Sequence, residues 1–210
     1  MSNIPIVYED DWLLVVNKPS GLLTIPTPKK ESRTLTSILN DDLKEKGLVT
    51  RVHPCHRLDR ETSGLIIYAL GKATQRKMME LFKLKKIKKS YIAFVQGNLS
   101  NPAGQIKSPI EGKLAVTSYK VIEKRKEFAI VEAAPLTGRT NQIRIHFESI
   151  GHPIMGETKY AFRRDFSVKA KRLCLHAEVL DFVHPVTGEH LKLKAALPQD
   201  LNNFLTKHPV

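Results

Sequence analysis

The sequence predicts an α+β fold, and three observations carry that prediction. Short apolar or alternating runs recur along the chain, only three stretches show helical spacing, and the two kinds do not alternate strictly as βαβ units would. With 210 residues the chain can bury one sizeable core or two small lobes sharing one. A hydrophobic content of 41% with 26% charged residues is that of an ordinary globular protein, which removes disorder as a class.

The elements follow in order. Ile6 to Tyr8 and Trp12 to Val16 are β-rich runs flanking the acidic turn Glu9-Asp10-Asp11, so they predict a hairpin that ends at Pro19 and Gly21. Thr24 to Lys30 holds two prolines and little apolar content, which predicts a loop, either a plain connection or one able to close over a ligand. Thr34 can cap a helix whose inner face carries Leu35, Ile38, Leu39 and Leu43, with Gly47 suited to follow its last turn. Ile66 to Leu70 reads as a buried strand. Lys72 to Lys83 reads as a second helix with Met78, Leu81 and Phe82 inward, the Met pair being open to a second reading as an interaction stripe.

Tyr91 to Val95 predicts a strand ended by Gly97 and by Asn101-Pro102-Ala103-Gly104. Further strands are predicted at Val116 to Ile122, Phe128 to Ala133, Leu175 to Val183 and Leu191 to Leu197. Ile143, Phe147 and Ile150 sit at helical spacing before Gly151, which puts Arg144 on a short helix, with an Ile-Arg-Ile strand as the alternative.

Lys and Arg number 34 against 21 Asp and Glu, giving a net charge of +13 and pointing to a polyanion as partner. Lys83, Lys85, Lys86, Lys88 and Lys89 crowd one segment, either a solvated helix end or a track for phosphates. Arg163, Arg164, Lys169, Lys171 and Arg172 form a second such segment. Two cysteines cannot make a disulfide framework, no apolar stretch approaches the roughly 20 residues of a membrane span, and the first residues lack signal-peptide features. A reducing cytoplasm, no membrane and a monomer are the expectations.

One stretch concentrates chemistry. In His56-Arg57-Leu58-Asp59-Arg60-Glu61-Thr62-Ser63-Gly64-Leu65 a single carboxylate lies between two arginines, ahead of an apolar strand. Flanking cations favour an ionised carboxylate and the strand fixes its place, which suits a nucleophile or base, although a surface turn with a structural Asp-Arg pair has the same pattern.

This stretch resembles the catalytic motif of the RluA family of pseudouridine synthases, and other blocks follow in the family's order. They are Asn17-Lys18-Pro19-Ser20-Gly21-Leu22-Leu23, Lys89 to Gly97, Leu136-Thr137-Gly138-Arg139-Thr140-Asn141-Gln142-Ile143-Arg144-Ile145-His146, Gly151 to Gly156, and Leu175-His176-Ala177. The resemblance implies one mixed, mainly antiparallel sheet in two similar halves with flanking helices and a central cleft. It also implies a single catalytic domain over residues 1–210 without an appended amino-terminal RNA-binding domain. The implied reaction is isomerisation of uridines to pseudouridine in ribosomal or transfer RNA stem-loops, with the target base flipped out.

By the same resemblance Asp59 is the catalytic carboxylate, Tyr91 stacks on the target base, and Arg144 pairs with the aspartate. Whether Asp59 attacks C1′, adds to C6 or removes a sugar proton stays open. Arg57 is a candidate for holding the RNA open or for a phosphate contact, Leu175 for an apolar wall of the uracil pocket. Arg60, Arg139, Lys85, Lys86 and Lys88 are further candidate substrate contacts. The isomerisation changes no oxidation state and needs no group donor, so no cofactor or metal is expected, and no Gly-rich phosphate loop is present. The family commonly has His where this chain has Asn141, which can hydrogen bond but cannot titrate near neutral pH.

Two other classes compete. His53, Cys55, His56, Cys174 and His176 hold donors enough for zinc, but their spacing fits no standard finger. A non-catalytic RNA-binding protein on the same fold is the second.

Overall fold

The computed structural model describes residues 3–29, 31–162, 164 and 166–209. Lys30 of the predicted loop and Arg163 of the second basic segment lie outside the described residues. The fold is α+β with a mixed, mainly antiparallel sheet, as the sequence predicts. The chain divides into two compact units, Met1–Lys88 with Val179–Ala195, and Lys89–Glu178 with Ala196–Val210.

In the first unit β1 (Ile6–Glu9) and β2 (Leu13–Lys18) form the predicted hairpin, and β2 runs antiparallel to β4 (Ser63–Leu70) from Leu13 opposite Ala69 to Lys18 opposite Gly64. A short β3 (Val52–Pro54) pairs with the end of β4. Both β2 and β4 are buried on both faces, which explains their continuous apolar runs. On one face Leu13, Val15, Leu65 and Ile67 pack with Met78 of α2 (Lys72–Lys83), with Leu81 and Phe82 against them. Met79 is exposed, so the Met pair divides between core and surface.

Helix α1 (Leu35–Glu45) begins at Thr34, whose side chain accepts from Ser37 N while the Ser37 hydroxyl accepts from Thr34 N. Leu35, Leu39 and Leu43 are its buried stripe. Thr36 Oγ1 lies 3.1 Å from the Tyr68 hydroxyl on β4. The last strand of this unit, β10 (His190–Lys194), pairs with Val179 to Val183 of β9 (Leu175–Val183) and stops at Lys194, three residues short of the predicted end.

In the second unit β5 (Lys88–Gln96), β8 (Phe128–Pro135), β7 (Val116–Lys124) and β6 (Ala103–Lys107) lie in that order, each pair antiparallel. Strand β5 stops at Gln96, ahead of the predicted Gly97 and Asn101-Pro102 stop, whereas Ala103-Gly104 already belong to β6. Gly104 serves close approach rather than a turn, since a Cβ there would meet the Tyr119 hydroxyl at 3.0 Å. Helix α3 (Gln142–Ser149) settles the Ile-Arg-Ile alternative in favour of a helix, with Ile143 and Phe147 buried. Helix α4 (Gln199–Lys207) was not legible in the sequence; it packs Phe204 against Phe94 and Phe128, at 5.9 and 5.4 Å between centroids.

Candidate active site

Asp59 opens a turn in which Thr62 N donates to its carbonyl at 3.2 Å, and its side chain is half-buried. Leu58 before it is buried, while Arg57 and Arg60 on either side are exposed. What holds this turn is the block Lys18 to Thr24. The ammonium of Lys18 is fully buried and donates to the carbonyls of Pro19, Leu22 and Arg60 at 2.9, 2.8 and 3.2 Å. A buried cation is tolerated only when its donors are satisfied, so these three acceptors fix where both segments run.

Four more bonds lock the same pair of segments. Ser20 Oγ donates to Glu61 O at 2.6 Å, Gly21 N to Arg60 O at 2.8 Å, and Arg60 Nε to Gly21 O at 3.1 Å. Thr24 Oγ1 donates to Leu58 O at 3.0 Å. Thr24 is itself held, because its carbonyl accepts Thr36 N and Thr36 Oγ1 at the start of α1, where helix donors need partners. Behind the turn, Ile67 N on β4 donates to His56 Nε2 at 3.0 Å, and the His56 ring lies 4.8 Å from that of Phe82.

Lys85, Lys86 and Lys88 follow α2 in the same unit and are all exposed. Between them Ile87 is buried in the core, so an apolar anchor sets where the charges stand. The helix ends with Lys86 N donating to Leu81 O and Lys85 N to Phe82 O, a closing turn that puts Lys85 at φ 55° where glycine is usual.

The second unit holds Tyr91, Arg139, Arg144 and Leu175. Tyr91 is buried on β5 opposite Ala133. Lys89 shares its face of the strand, and burial pushes the Lys89 amine below its ordinary value. Leu175 is buried at the start of β9. Arg139 is exposed, with Nε donating to Leu114 O at 3.1 Å.

Arg144 sits buried in the first turn of α3, and its Nε and Nη2 both donate to Glu157, each at 2.7 Å. Its Nη1 donates to Asn141 Oδ1 at 3.1 Å and its guanidinium carbon lies 5.4 Å from the Tyr160 ring centroid. Asn141 takes the left-handed conformation at φ 54°, and its amide also donates to the Tyr160 hydroxyl at 2.7 Å. Burial pushes the Glu157 carboxyl up. The Arg144 hydrogen bonds, with those from Lys159 N and Thr158 N, more than reverse this and hold it below its ordinary value.

A neutral network seats the helix. Gln142 Nε2 donates to Thr117 Oγ1 at 3.0 Å, and Thr117 Oγ1 lies 2.9 Å from His146 Nδ1. His146 Nε2 lies 3.0 Å from Ser108 O, and burial pushes the imidazole below its ordinary value. The Gln142 side-chain carbonyl accepts from Arg139 N at 3.0 Å and Thr137 Oγ1 at 2.7 Å, fixing the loop before the helix. Sequence reasoning passed over Lys18, Thr24, Glu157 and Tyr160. The signal for Lys18 was a charged residue closing an apolar strand, and for Glu157 an acid directly after Gly156.

Neither cysteine has a metal-like setting. Cys55 and Cys174 are buried, and burial pushes each thiol up to about 12. No group of three or more His, Cys, Asp or Glu suited to a metal occurs among the described residues.

A family model described as RNA pseudouridylate synthase matches residues 12–149. The dual-specificity RNA pseudouridine synthase RluA of Haemophilus influenzae is 37% identical, over 91% of this chain and 92% of its own. The uncharacterized RNA pseudouridine synthase YlyB of Bacillus subtilis is also 37% identical, over 97% of this chain and 72% of its own. Among solved structures, human RNA pseudouridylate synthase domain containing 4 matches with a TM-score of 0.80 at 27% identity, over 97% of this chain and 92% of that one. No described helix is long and apolar enough to cross a membrane.

Two outcomes follow from this geometry. Lys18→Met takes the ammonium away from the carbonyls of Pro19 and Leu22, and from Arg60 O, which keeps Gly21 N, and lowers the unfolding free energy by about 2–4 kcal/mol, measured by urea denaturation. His146 and Glu157 both titrate below their ordinary values of 6.5 and 4.5, so the stability each supplies is complete above that value and is lost as pH falls below it. Unfolding free energy therefore declines from about pH 6.5 downward, and His146→Gln flattens the start of that decline.

Proposed function

Because this chain belongs to the RNA pseudouridylate synthase family and is an RNA pseudouridine synthase, we propose that Asp59 is its catalytic carboxylate, with Tyr91 and Arg144 completing the catalytic set. The observation that carries this is the hold on the Asp59 turn. Five hydrogen bonds join a block remote in sequence to the Asp59 turn, one of them from a buried ammonium that also ties that block to itself, and they immobilise the backbone around a single half-buried carboxylate. Positioning of that kind is what a reaction with a short-lived, detached base requires.

The reaction breaks the N1 to C1′ bond, turns the uracil and joins C5 to C1′, with the C5 proton released and N1 protonated. Nothing is oxidised or transferred to another molecule, and we assign no cofactor or metal. Asp59 acts at the sugar or base, Tyr91 supplies the stacking face, and Arg144 supplies the guanidinium of the catalytic set. Leu175 serves as the apolar wall of the uracil site. The uridine leaves its stack to be reached, at a cost of a few kcal/mol, and the exposed Arg57 guanidinium fills the gap.

Arg60, Arg139 and the anchored Lys85, Lys86 and Lys88 contact the RNA backbone. The substrate is a ribosomal or transfer RNA stem-loop, a range consistent with relatives named for dual specificity. The enzyme works as a monomer and in the cytoplasm, where such RNA is found.

Asp59→Asn removes the charge and keeps the shape. It abolishes tritium release from C5-tritiated transcripts while RNA affinity stays within a few-fold, and appreciable residual release would remove Asp59 from its role. Replacing Lys85, Lys86 and Lys88 together with Ala weakens binding and lowers the slope of log affinity against log salt by about 0.7 to 0.9 for each phosphate no longer neutralised. An unchanged slope would place the RNA on another surface.

A further inference from the structure

The second basic segment of the sequence has no part in the catalytic set, and its described side chains stand in a pattern of their own. From Thr158 to Lys171 the chain has five basic residues against one acid, and the segment belongs to none of the helices and strands above. Arg163 and the acid, Asp165, lie outside the described residues. The remaining cations are Lys159, Arg164, Lys169 and Lys171, all exposed. Arg172, next in line, is committed elsewhere, since its Nε and Nη2 donate to Asp200 of α4 at 2.6 and 3.1 Å.

Aromatic rings are interleaved with these charges. The Arg164 guanidinium carbon lies 5.1 Å from the centroid of the Phe162 ring, and the Lys159 ammonium 5.0 Å from that of Tyr160, both within cation–π range. The two rings differ in setting. Tyr160 is half-buried, its hydroxyl accepting from Asn141 Nδ2 at 2.7 Å, whereas Phe162 is 69% exposed. Ala161 between them is buried, so the chain just before the exposed ring is anchored. Further on, Gln96 Nε2 donates to Ser167 Oγ at 3.1 Å and ties the segment to the end of β5.

A lone exposed ring is ordinary on a protein surface. What gives Phe162 a role is its company. An aromatic face beside a guanidinium plane, within a run of exposed cations, is the combination that holds single-stranded nucleic acid: a base stacks on the ring or the guanidinium, and ammonium groups meet the phosphates. An apolar protein partner would cover the ring but oppose nothing to the four cations. We propose that Phe162 and Arg164 form a stacking site for an unpaired base of the substrate loop, with Lys159, Lys169 and Lys171 contacting phosphates of the same strand. This rests on the reading of the substrate as an RNA stem-loop. The base held here is not the target uridine, whose stacking face is Tyr91.

The test is binding of a fluorescein-labelled RNA hairpin with a uridine-rich loop, and of a fully paired RNA duplex of the same length, over a range of salt concentrations. Phe162→Ala weakens hairpin binding about tenfold and duplex binding less than about twofold. It leaves the slope of log affinity against log salt unchanged, because a ring neutralises no phosphate. Phe162→Trp restores hairpin affinity to within about threefold, and Phe162→Leu does not. With unlabelled hairpin, the emission of the added indole, after subtraction of the Trp12 signal seen in the wild type, is quenched as it stacks on a base. Replacing Lys169 and Lys171 together with Ala lowers the slope by about 0.7 for each phosphate no longer neutralised.

Wild-type hairpin affinity in Phe162→Ala overturns the proposal and leaves the stem-loop reading standing. A wild-type protein that binds the hairpin no better than the duplex overturns both. Equal losses on hairpin and duplex, or an affinity restored as well by leucine as by tryptophan, mean a contact other than stacking and overturn the proposal. An unchanged salt slope in the double lysine variant overturns its phosphate contacts. Should Phe162→Ala fail to fold by circular dichroism, Phe162→Leu against Phe162→Trp decides alone: weaker hairpin binding by the leucine variant supports the proposal, and equal binding overturns it.

Discussion

A positive charge with no water around it is the constraint on which the first unit depends. The Lys18 ammonium must find acceptors inside the protein, and the acceptors it finds belong to the backbone of two segments 42 residues apart. Main-chain carbonyls do not change with side-chain substitution, so the knot is robust to variation on the turn it holds. Pro19 contributes an acceptor without bringing a donor that would itself need a partner, and Gly21 takes φ 84° so that its N–H and C=O can both meet Arg60. The first turn of α1 extends the same knot, since its donors are spent on Leu23 and Thr24.

The second unit solves the matching problem with side chains. Arg144 carries charge into a buried place and is met by Glu157, whereas Gln142, Thr117 and His146 form a relay of neutral groups that joins α3 to β7. The two devices differ in what they supply. The neutral relay fixes the helix on the sheet; the ion pair fixes one side chain on the helix. The exposed lysines after α2 use neither device, and only the buried Ile87 determines where they stand.

Much of the fold was legible because hydrophobic period and stop signals agreed. Thr34, the Leu35, Leu39 and Leu43 stripe and Gly47 gave α1 nearly to the residue. The elements that escaped are those with thin apolar faces. Strand β6 buries Ile106 alone, and Gly104 within it looks like a turn until the Tyr119 ring is seen against it. Helix α4 buries Leu201 fully and is held mainly by the Phe204 contacts, so its pattern is too sparse to read. At the site, the motif residues were legible as types in order, but their supports were not. Lys18 and Glu157 are charged residues in sequence and buried ones in space, and only tertiary pairing makes that tolerable.

The burial of both native thiols has a practical side. With Cys55 and Cys174 enclosed and pushed up to about 12, neither offers thiolate to a maleimide or a disulfide reagent at neutral pH. A cysteine introduced at an exposed position such as Leu114 becomes the reactive one without first removing the others. The chain is thus ready for site-specific fluorophores or spin labels, and the encounter with RNA can be followed in real time on an otherwise native sequence.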